Sequence, residues 1–151
     1  MKPSKSQIDQ FLAHQHIAMA GYSHNPKKFG HEVFRTLTEK GYDIEAVNPK
    51  GGRVNGSGKE VFTHVDQLPD DLNALLVVTK KDQSLKIVQD ARKKGIAHIW
   101  VQQMSACPDL KAMAANDPGI IIGQCIMMHA KPSGIHKFHH FLSGLFGLLP
   151  R

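Results

Sequence analysis

Residues 16–37, HIAMAGYSHNPKKFGHEVFRTL, decide the fold of this chain. The run HIAMA at 16–20 is short and apolar, which is typical of a buried β-strand. Apolar residues then return at helical spacing, and this pattern stops at Gly41, a common helix terminator. Ten mostly polar residues, 21–30, stand between the two. The stretch therefore predicts a strand, a long polar turn and a helix.

The rest of the chain repeats this alternation of short apolar runs and helical patterns. Strands are predicted at 43–49, 60–69 (ending in one helical turn), 73–78, 97–102 and 119–125. Helices are predicted at 82–95, with Asp82 as the N-cap, and at 107–117. Continuous apolar strands are typical of a parallel sheet that is covered on both faces. The fold class is therefore α/β: a Rossmann-like, doubly wound, mostly parallel sheet with helices on both faces.

Three parts of the chain are expected from this pattern. Residues 1–13 form an N-terminal helix or arm, residues 14–130 form the Rossmann-like domain, and residues 131–151 form an amphipathic tail. The tail contains eight Ile, Phe or Leu residues after Gly134, too many for a helix surrounded by water. We expect it to be a C-terminal helix that pairs two copies into a homodimer. A metal site at His136, His139 and His140 is the weaker alternative.

Composition narrows the function classes. The chain has 151 residues, 41% hydrophobic content and a formal net charge of +6. No apolar stretch is long enough for a membrane span, and the N-terminus has no apolar core of a signal peptide, so a cytoplasmic location is expected. The two cysteines lack CxxC spacing, as in a reducing compartment. The basic charge is compatible with nucleic acid, anionic lipid or a phosphorylated small molecule as the partner. Aromatic residues do not alternate with basic ones, which argues against a protein that binds single-stranded nucleic acid, and no nucleic-acid partner is expected.

The polar turn at 21–30 is a candidate anion site. In doubly wound sheets, ligands bind beyond the carboxyl ends of the strands, and backbone N–H groups at a helix start favour phosphate. Gly21 permits close approach, while Ser23, Asn25, Lys27 and Lys28 supply donors and charge. A solvated turn without a ligand is the simpler alternative.

A routine NAD site is disfavoured by the same region. The turn lacks the three-glycine dinucleotide fingerprint. The second strand ends in VNPKGG, without the acidic residue that would hold a ribose hydroxyl, and Lys50 suits a phosphate instead. Further basic residues fall in or near predicted loops, at Arg53, Lys80 and Lys81.

Four segments together resemble a known family. They are IAMAGYSHNPKKFGHEVFRTLTEKGYDIEAVNP at 17–49, LPDDLNALLVV at 68–78, GIAHIWVQ at 95–102 and GIIIGQCIM at 119–127. In order and spacing they resemble the small stand-alone CoA-binding-domain proteins, related to the CoA-binding domain of the succinyl-CoA synthetase alpha subunit. The resemblance covers roughly residues 14–130, and G-x-S-x-N-P is among its most specific motifs.

The resemblance implies CoA or an acyl-CoA as the ligand and assigns its contacts. The first loop would cradle the CoA phosphates, Lys50 would meet the 3′-phosphate or pyrophosphate, and the end of the predicted fourth strand would flank the adenosine or pantetheine arm. The implied site residues are Gly21, Tyr22, Ser23, His24, Asn25, Lys28, Asn48, Pro49, Lys50, Val78, Thr79 and Lys80. No catalytic or metal-ligating residue is assigned.

Other functions remain open from the sequence. The leading hypothesis is a non-catalytic CoA or acyl-CoA binding module with a regulatory or carrier role. One alternative is a CoA-dependent enzyme that uses Cys125 as nucleophile with His129 as base, or that uses His24. Another is an NAD(H)-sensing regulatory module that acts through a protein partner.

Overall fold

A computed structural model describes residues 2–130 of the chain. It contains one five-stranded sheet in which all strand pairs are parallel, in the order β2-β1-β3-β4-β5. The strands are β1 His16–Ala20, β2 Asp43–Val47, β3 Ala74–Val77, β4 His98–Gln102 and β5 Ile120–Gln124. The helices are α1 Lys5–Leu12, α2 Phe29–Glu39, α3 Lys81–Lys94 and α4 Pro108–Ala115. The Rossmann-like α/β fold class is confirmed.

The strand order places a topological switch beside β1. The chain leaves β1 through α2 and pairs β2 on one side, with Ala20 opposite Val47. It then crosses to the other side, where β3 pairs with β1 and Ala20 lies opposite Val77. Sheets of this kind open a crevice beyond the carboxyl ends of the two strands at which the order reverses. Here that crevice lies beyond the ends of β1 and β3.

Two hydrophobic cores cover the two faces of the sheet. One lies under α1 and α2 and includes Phe11, Phe34 and Trp100; the other lies under α3 and α4 and includes Val88 and Leu110. Phe11 and Trp100 meet edge to face, with ring centroids 5.4 Å apart. The indole N–H of Trp100 donates to the backbone carbonyl of Gln124 at 3.1 Å. The N-terminal helix is therefore fixed against the middle of the sheet.

The strand predicted at 60–69 is wrong. The backbone there makes only single bridges, Val47 with Phe62 and Arg53 with Glu60, followed by a short 3₁₀ turn at Val65–Gln67. The bridge of Phe62 to Val47 is parallel, but it is a single bridge and does not extend into a strand. The preceding segment is rich in glycines with positive φ. The strand predicted at 73–78, which is the fourth in the sequence-based prediction, is therefore β3, the third strand along the chain.

The N-cap assigned to Asp82 is also wrong. Helix α3 begins at Lys81, its N-cap is Lys80, and Asp82 lies in the first turn, where the helix dipole favours a carboxylate. The Ser84 hydroxyl donates to the Lys80 carbonyl at 3.0 Å. The other end of α3 follows the prediction, because Gly95 closes the helix with a φ of +95°.

The C-terminal tail, residues 131–151, lies outside the described residues. Its helix, its histidines and its role in a homodimer stay predictions. Among residues 2–130, none of the helices combines the length and the apolar composition that a membrane crossing requires.

Candidate ligand-binding site

The turn that follows β1 lies at the topological switch. We call residues 21–28 the first loop and residues 48–59, which follow β2, the second loop. The Gly21 N–H donates to the Val47 carbonyl at 3.1 Å, and the Val78 N–H donates to the Ala20 carbonyl at 2.8 Å. These bonds extend the pairing of β1 on both sides. The first loop therefore starts from a fixed point between the ends of β2 and β3.

Two glycines allow the first loop to lie close to its neighbours. Gly21 has a φ of +101°, and a Cβ there would overlap with the Val78 carbonyl oxygen. A Cβ on Gly30, in the first turn of α2, would overlap with the Gly21 carbonyl oxygen. Neither position accepts a side chain without a shift of the backbone. The predicted close approach at Gly21 thus involves the protein's own backbone, on both sides of the loop.

Backbone N–H groups of the first loop are available for an anion. Within residues 2–130, the N–H groups of Tyr22, Ser23 and His24 make no hydrogen bond. The next N–H groups are used inside the loop, because Asn25 donates to the Ser23 hydroxyl at 3.1 Å and Lys27 donates to the Asn25 side-chain oxygen at 3.0 Å. Tyr22 is buried, whereas Ser23 and His24 are half-buried. The two successive unpaired amides of Ser23 and His24 therefore form the type of site that favours phosphate.

The carbonyl groups of the same residues are all engaged by side chains from elsewhere. The Tyr22 carbonyl accepts from the Asn48 amide at 2.6 Å, and the Ser23 carbonyl accepts from His31 Nδ1 at 2.9 Å. The His24 carbonyl accepts from the Asn55 amide at 2.9 Å. The sequence analysis missed His31 and Asn55. His31 lies one turn beyond the loop on α2, which is a local signal, whereas nothing in a glycine-rich stretch indicates Asn55.

The second loop is bound tightly to the first. The Tyr22 side chain is only 1% exposed, and its hydroxyl accepts the Asn55 N–H at 3.1 Å. The Asn48 side-chain oxygen accepts the Lys50 N–H at 2.8 Å, so both ends of that amide are used. His24 Nε2 lies 3.1 Å from the Arg53 carbonyl and donates to it. Tyr22 and Asn48, implied as ligand contacts by the family resemblance, thus have side chains that join the two loops.

Exposed cations lie at the same edge of the sheet as the unpaired amides. The side chains of Lys28, Lys50 and Lys80 are exposed, and none has an acidic partner among residues 2–130. Arg53 is exposed as well and donates to the Gly58 carbonyl at 3.0 Å. Lys28 ends the loop that follows β1, whereas Lys50 and Lys80 lie shortly after the ends of β2 and β3. The structure thus brings the predicted basic residues to one edge of the sheet.

The segment after β3 forms the other wall of the crevice. Val78 and Thr79 are half-buried, and Lys80 is exposed. The Thr79 hydroxyl lies 2.8 Å from the Ser84 hydroxyl, which fixes the turn into α3. The backbone of Val78 lies directly against Gly21. This segment therefore borders the first loop, and its contact with a ligand stays a prediction.

The thiol considered as a nucleophile is buried. Cys125 is 5% exposed, and its Sγ accepts a hydrogen bond from the Gln102 amide at 2.9 Å. Burial raises the pKa of this thiol, although the hydrogen bonds to it partly oppose the shift. His129 Nε2 contacts the Gln124 side-chain oxygen at 3.0 Å, and burial lowers its pKa. This arrangement disfavours a reactive thiolate.

Comparison with known proteins identifies relatives of this chain. A family model described as a CoA binding domain matches residues 15–131. The alpha subunit of acetate–CoA ligase I (ADP-forming) from Pyrococcus furiosus is 30% identical over 84 residues, which are 53% of this chain and 18% of that protein. The alpha subunit of acetate–CoA ligase II (ADP-forming) from the same organism is 29% identical over 95 residues, 62% of this chain and 20% of that protein. The chain thus spans about a fifth of the length of these curated relatives.

Solved structures share the fold along most of their length. A hypothetical protein from Pyrococcus horikoshii OT3 is 27% identical, with a TM-score of 0.70, and the match covers 84% of this chain and 92% of that chain. A conserved hypothetical protein from Pyrococcus furiosus is 26% identical, with a TM-score of 0.69, and the match covers 76% of this chain and 97% of that chain. The described fold is therefore shared by proteins that it matches over nearly their whole length.

Proposed function

This chain belongs to the CoA binding domain family, and we propose that it binds CoA or an acyl-CoA at the carboxyl edge of its sheet. Family membership suggests CoA as the ligand. The observation that carries the proposal is the pair of unpaired N–H groups at Ser23 and His24, at the same edge of the sheet as exposed lysines without acidic partners. An anion with several phosphates satisfies both the amides and the ammonium groups.

The proposed pose divides the phosphates between the two loops. The pyrophosphate takes the amides of Ser23 and His24 at the start of α2, where Gly21 and Gly30 keep the backbone close. The 3′-phosphate takes one of the exposed cations, Lys28, Lys50 or Arg53. Such a bond would be charge-assisted, which makes it shorter and stronger than a neutral one.

The remaining contacts follow from the crevice. Val78, Thr79 and Lys80 border the loop on the β3 side and would flank the adenosine or pantetheine arm. The side chains of Tyr22 and Asn48 are engaged in holding the loops together, so they support the site and do not contact the ligand directly.

We propose a carrier or regulatory role without catalysis by this chain. The buried Cys125 has a raised pKa and no imidazole among its described hydrogen-bond partners, which disfavours the thiol mechanism. The chain also matches only about a fifth of the ligase subunits, so their whole-protein activity is not assigned to it. A second function is not favoured by any feature of the site.

Isothermal titration calorimetry with CoA and dephospho-CoA tests the proposal. A charge-assisted hydrogen bond to the 3′-phosphate predicts that CoA binds roughly tenfold or more tightly. A thermal-shift panel of CoA, acetyl-CoA, NAD and ATP separates the ligand classes, because a ligand that binds the native state raises the melting temperature. Equal affinities for the two CoA forms would refute the 3′-phosphate assignment. If NAD raised the melting temperature and CoA did not, NAD would replace CoA as the proposed ligand.

A further inference from the structure

The imidazole of His31 is held against the first loop from two directions. Its Nδ1 lies 2.9 Å from the Ser23 carbonyl oxygen. A carbonyl can only accept a hydrogen bond, so Nδ1 carries the proton and donates it. The ring is half-buried and lies beside the Tyr22 ring, with centroids 6.2 Å apart. His31 therefore has a defined orientation, and the atom it points at the loop is a donor.

Fixing a carbonyl also fixes the next N–H group. A trans peptide unit is planar, so its C=O and N–H bonds point in opposite directions. The hydrogen bond from His31 to the Ser23 carbonyl thus sets the direction of the His24 N–H. The bond from Asn48 to the Tyr22 carbonyl sets the direction of the Ser23 N–H in the same way. These are two of the amides that are unpaired within residues 2–130.

The next peptide unit is fixed as well, but its N–H has an internal partner. Asn55 holds the His24 carbonyl, and the Asn25 N–H of that unit donates to the Ser23 hydroxyl. Three consecutive peptide units are therefore oriented by side chains from α2 and the second loop. A loop without these bonds could turn a carbonyl oxygen toward a phosphate, which the phosphate would repel. Donors held in place before binding avoid the cost of ordering the loop.

We propose that His31 is a positioning residue of the phosphate site, and that it acts with Asn48 to aim the Ser23 and His24 amides at the ligand. The inference rests on the proposed function, because it assigns a role within the same site. His31 touches the loop and not the ligand. It acts by holding one carbonyl, and only its Nδ1–H is required.

A pair of substitutions at His31 tests this role. In His31→Asn the side-chain nitrogen is two bonds from Cβ, as Nδ1 is in histidine, so the donor is kept. His31→Leu has a branched side chain of similar shape to asparagine, but it has no donor. We expect the Leu variant to lose roughly tenfold in affinity for CoA and for inorganic pyrophosphate, since a bond to a charged group depends on it. The Asn variant should bind nearly as the wild-type protein does.

The readouts separate positioning from general stability. Melting temperatures should be similar for the two variants. In ligand-free protein, the ¹H–¹⁵N amide signal of His24 should stay at its wild-type position in His31→Asn and move in His31→Leu. Wild-type affinity in the Leu variant overturns the inference, and so does an equal loss in both variants at unchanged melting temperature.

The two ligands distinguish this inference from the proposed function. If the wild-type protein binds pyrophosphate but not CoA, the proposed function fails, and the dependence of pyrophosphate binding on His31 still decides the inference. If the wild-type protein binds neither ligand, both are overturned.

Discussion

The two edges of the sheet differ in how their charges are satisfied. At the amino edge, His16, Asp43, Glu45 and Lys59 form a cluster in which each member has a partner. His16 Nε2 lies 2.7 Å from a Glu45 oxygen, and Lys59 Nζ lies 2.9 Å from Asp43 and 3.4 Å from Glu45. The single ammonium group thus pairs with both carboxylates. At the carboxyl edge, exposed lysines have no acidic partner among residues 2–130.

The difference shows which charges belong to the fold and which are available to a ligand. A paired cluster links neighbouring elements, here β1, β2 and the second loop, and each of its charged groups already has a partner. Unpaired cations beside unpaired amides repel one another until an anion arrives. The total charge of +6 does not separate the two edges, because residues of both kinds contribute to it.

The largest effect is expected from a substitution that displaces the backbone at the carboxyl edge. In Gly30→Ala the new Cβ overlaps with the Gly21 carbonyl oxygen, so the first loop must move away from α2. Overpacking of this kind costs about 3 kcal/mol of unfolding free energy. We expect a matching loss in chemical denaturation and no measurable CoA binding.

Gly56→Ala is the matched control for that change. Gly56 also lies in a loop, with a φ of +91°, but no atom lies within 4 Å of the Cβ position. Alanine at this position should therefore lower the free energy of unfolding by only about 1 kcal/mol, because the backbone there is left-handed. A Gly30→Ala protein as stable as this control, with intact binding, would mean that close approach of the loop is dispensable.

The next effect compares one lysine from each edge. Lys50→Met removes an unpaired ammonium group at the carboxyl edge, and Lys59→Met removes a paired one at the amino edge. Loss of a charge-assisted bond predicts roughly tenfold weaker CoA binding for Lys50→Met. Lys59→Met should bind CoA normally and be less stable, because Glu45 loses a partner.

Varying the ionic strength gives a second test of the comparison between Lys50 and Lys59. The contribution of an exposed lysine to CoA binding should shrink as ionic strength rises, since salt screens exposed charges. Calorimetry at low and high salt measures this directly. If Lys59→Met weakened CoA binding as much as Lys50→Met, the amino edge could not be regarded as separate from the site.

A smaller effect concerns the two thiols. Burial raises the pKa of Cys125, so its thiolate fraction is low at neutral pH and rises only in alkaline solution. Cys107 is half-exposed. Alkylation followed by mass spectrometry should label Cys107 first in the folded protein, and Cys125→Ala should leave CoA affinity unchanged. Preferential labelling of Cys125 would revive the thiol mechanism.

The smallest effect concerns the pH dependence of the amino edge. The hydrogen bond from Lys59 lowers the pKa of Asp43. A lowered pKa means that the stabilisation is present above the unfolded value and is lost as pH falls through the folded value. The Asp43 side chain is 63% exposed, so the contribution is at most about 1 kcal/mol. The difference in stability between wild type and Asp43→Asn should shrink as the pH falls below about 3.9, the ordinary pKa of an aspartate in an unfolded chain, as followed by urea denaturation. A difference that grew in acid would contradict this sign.

Much of the fold could be predicted because the strands are short apolar runs that are buried on both faces. The prediction for β1 matches its observed bounds, and the other four strands lie within their predicted ranges. The strand prediction around Phe62 was wrong because this segment pairs with β2 through one isolated parallel bridge, from Phe62 to Val47. The N-cap prediction at Asp82 was wrong because a carboxylate is favoured both at an N-cap and in the first turn of a helix.

The candidate site could be located but not resolved from the sequence. The glycine, the loop and the lysines are visible as residue types at the ends of strands. The bonds from His31 and Asn55 to the loop carbonyls depend on the path of two loops in space, and they span 8 and 31 positions. The resemblance assigned Tyr22 and Asn48 by position, whereas the roles of their side chains depend on which neighbours they reach.

The buried indole of Trp100 gives this protein an internal optical probe. It is the only tryptophan in the chain, it is 0% exposed, and β4 is separated from β1 by β3. Its emission therefore reports the integrity of the sheet and the seating of Phe11, at a distance from the first loop. Unfolding can accordingly be followed by the emission of Trp100 without any attached dye.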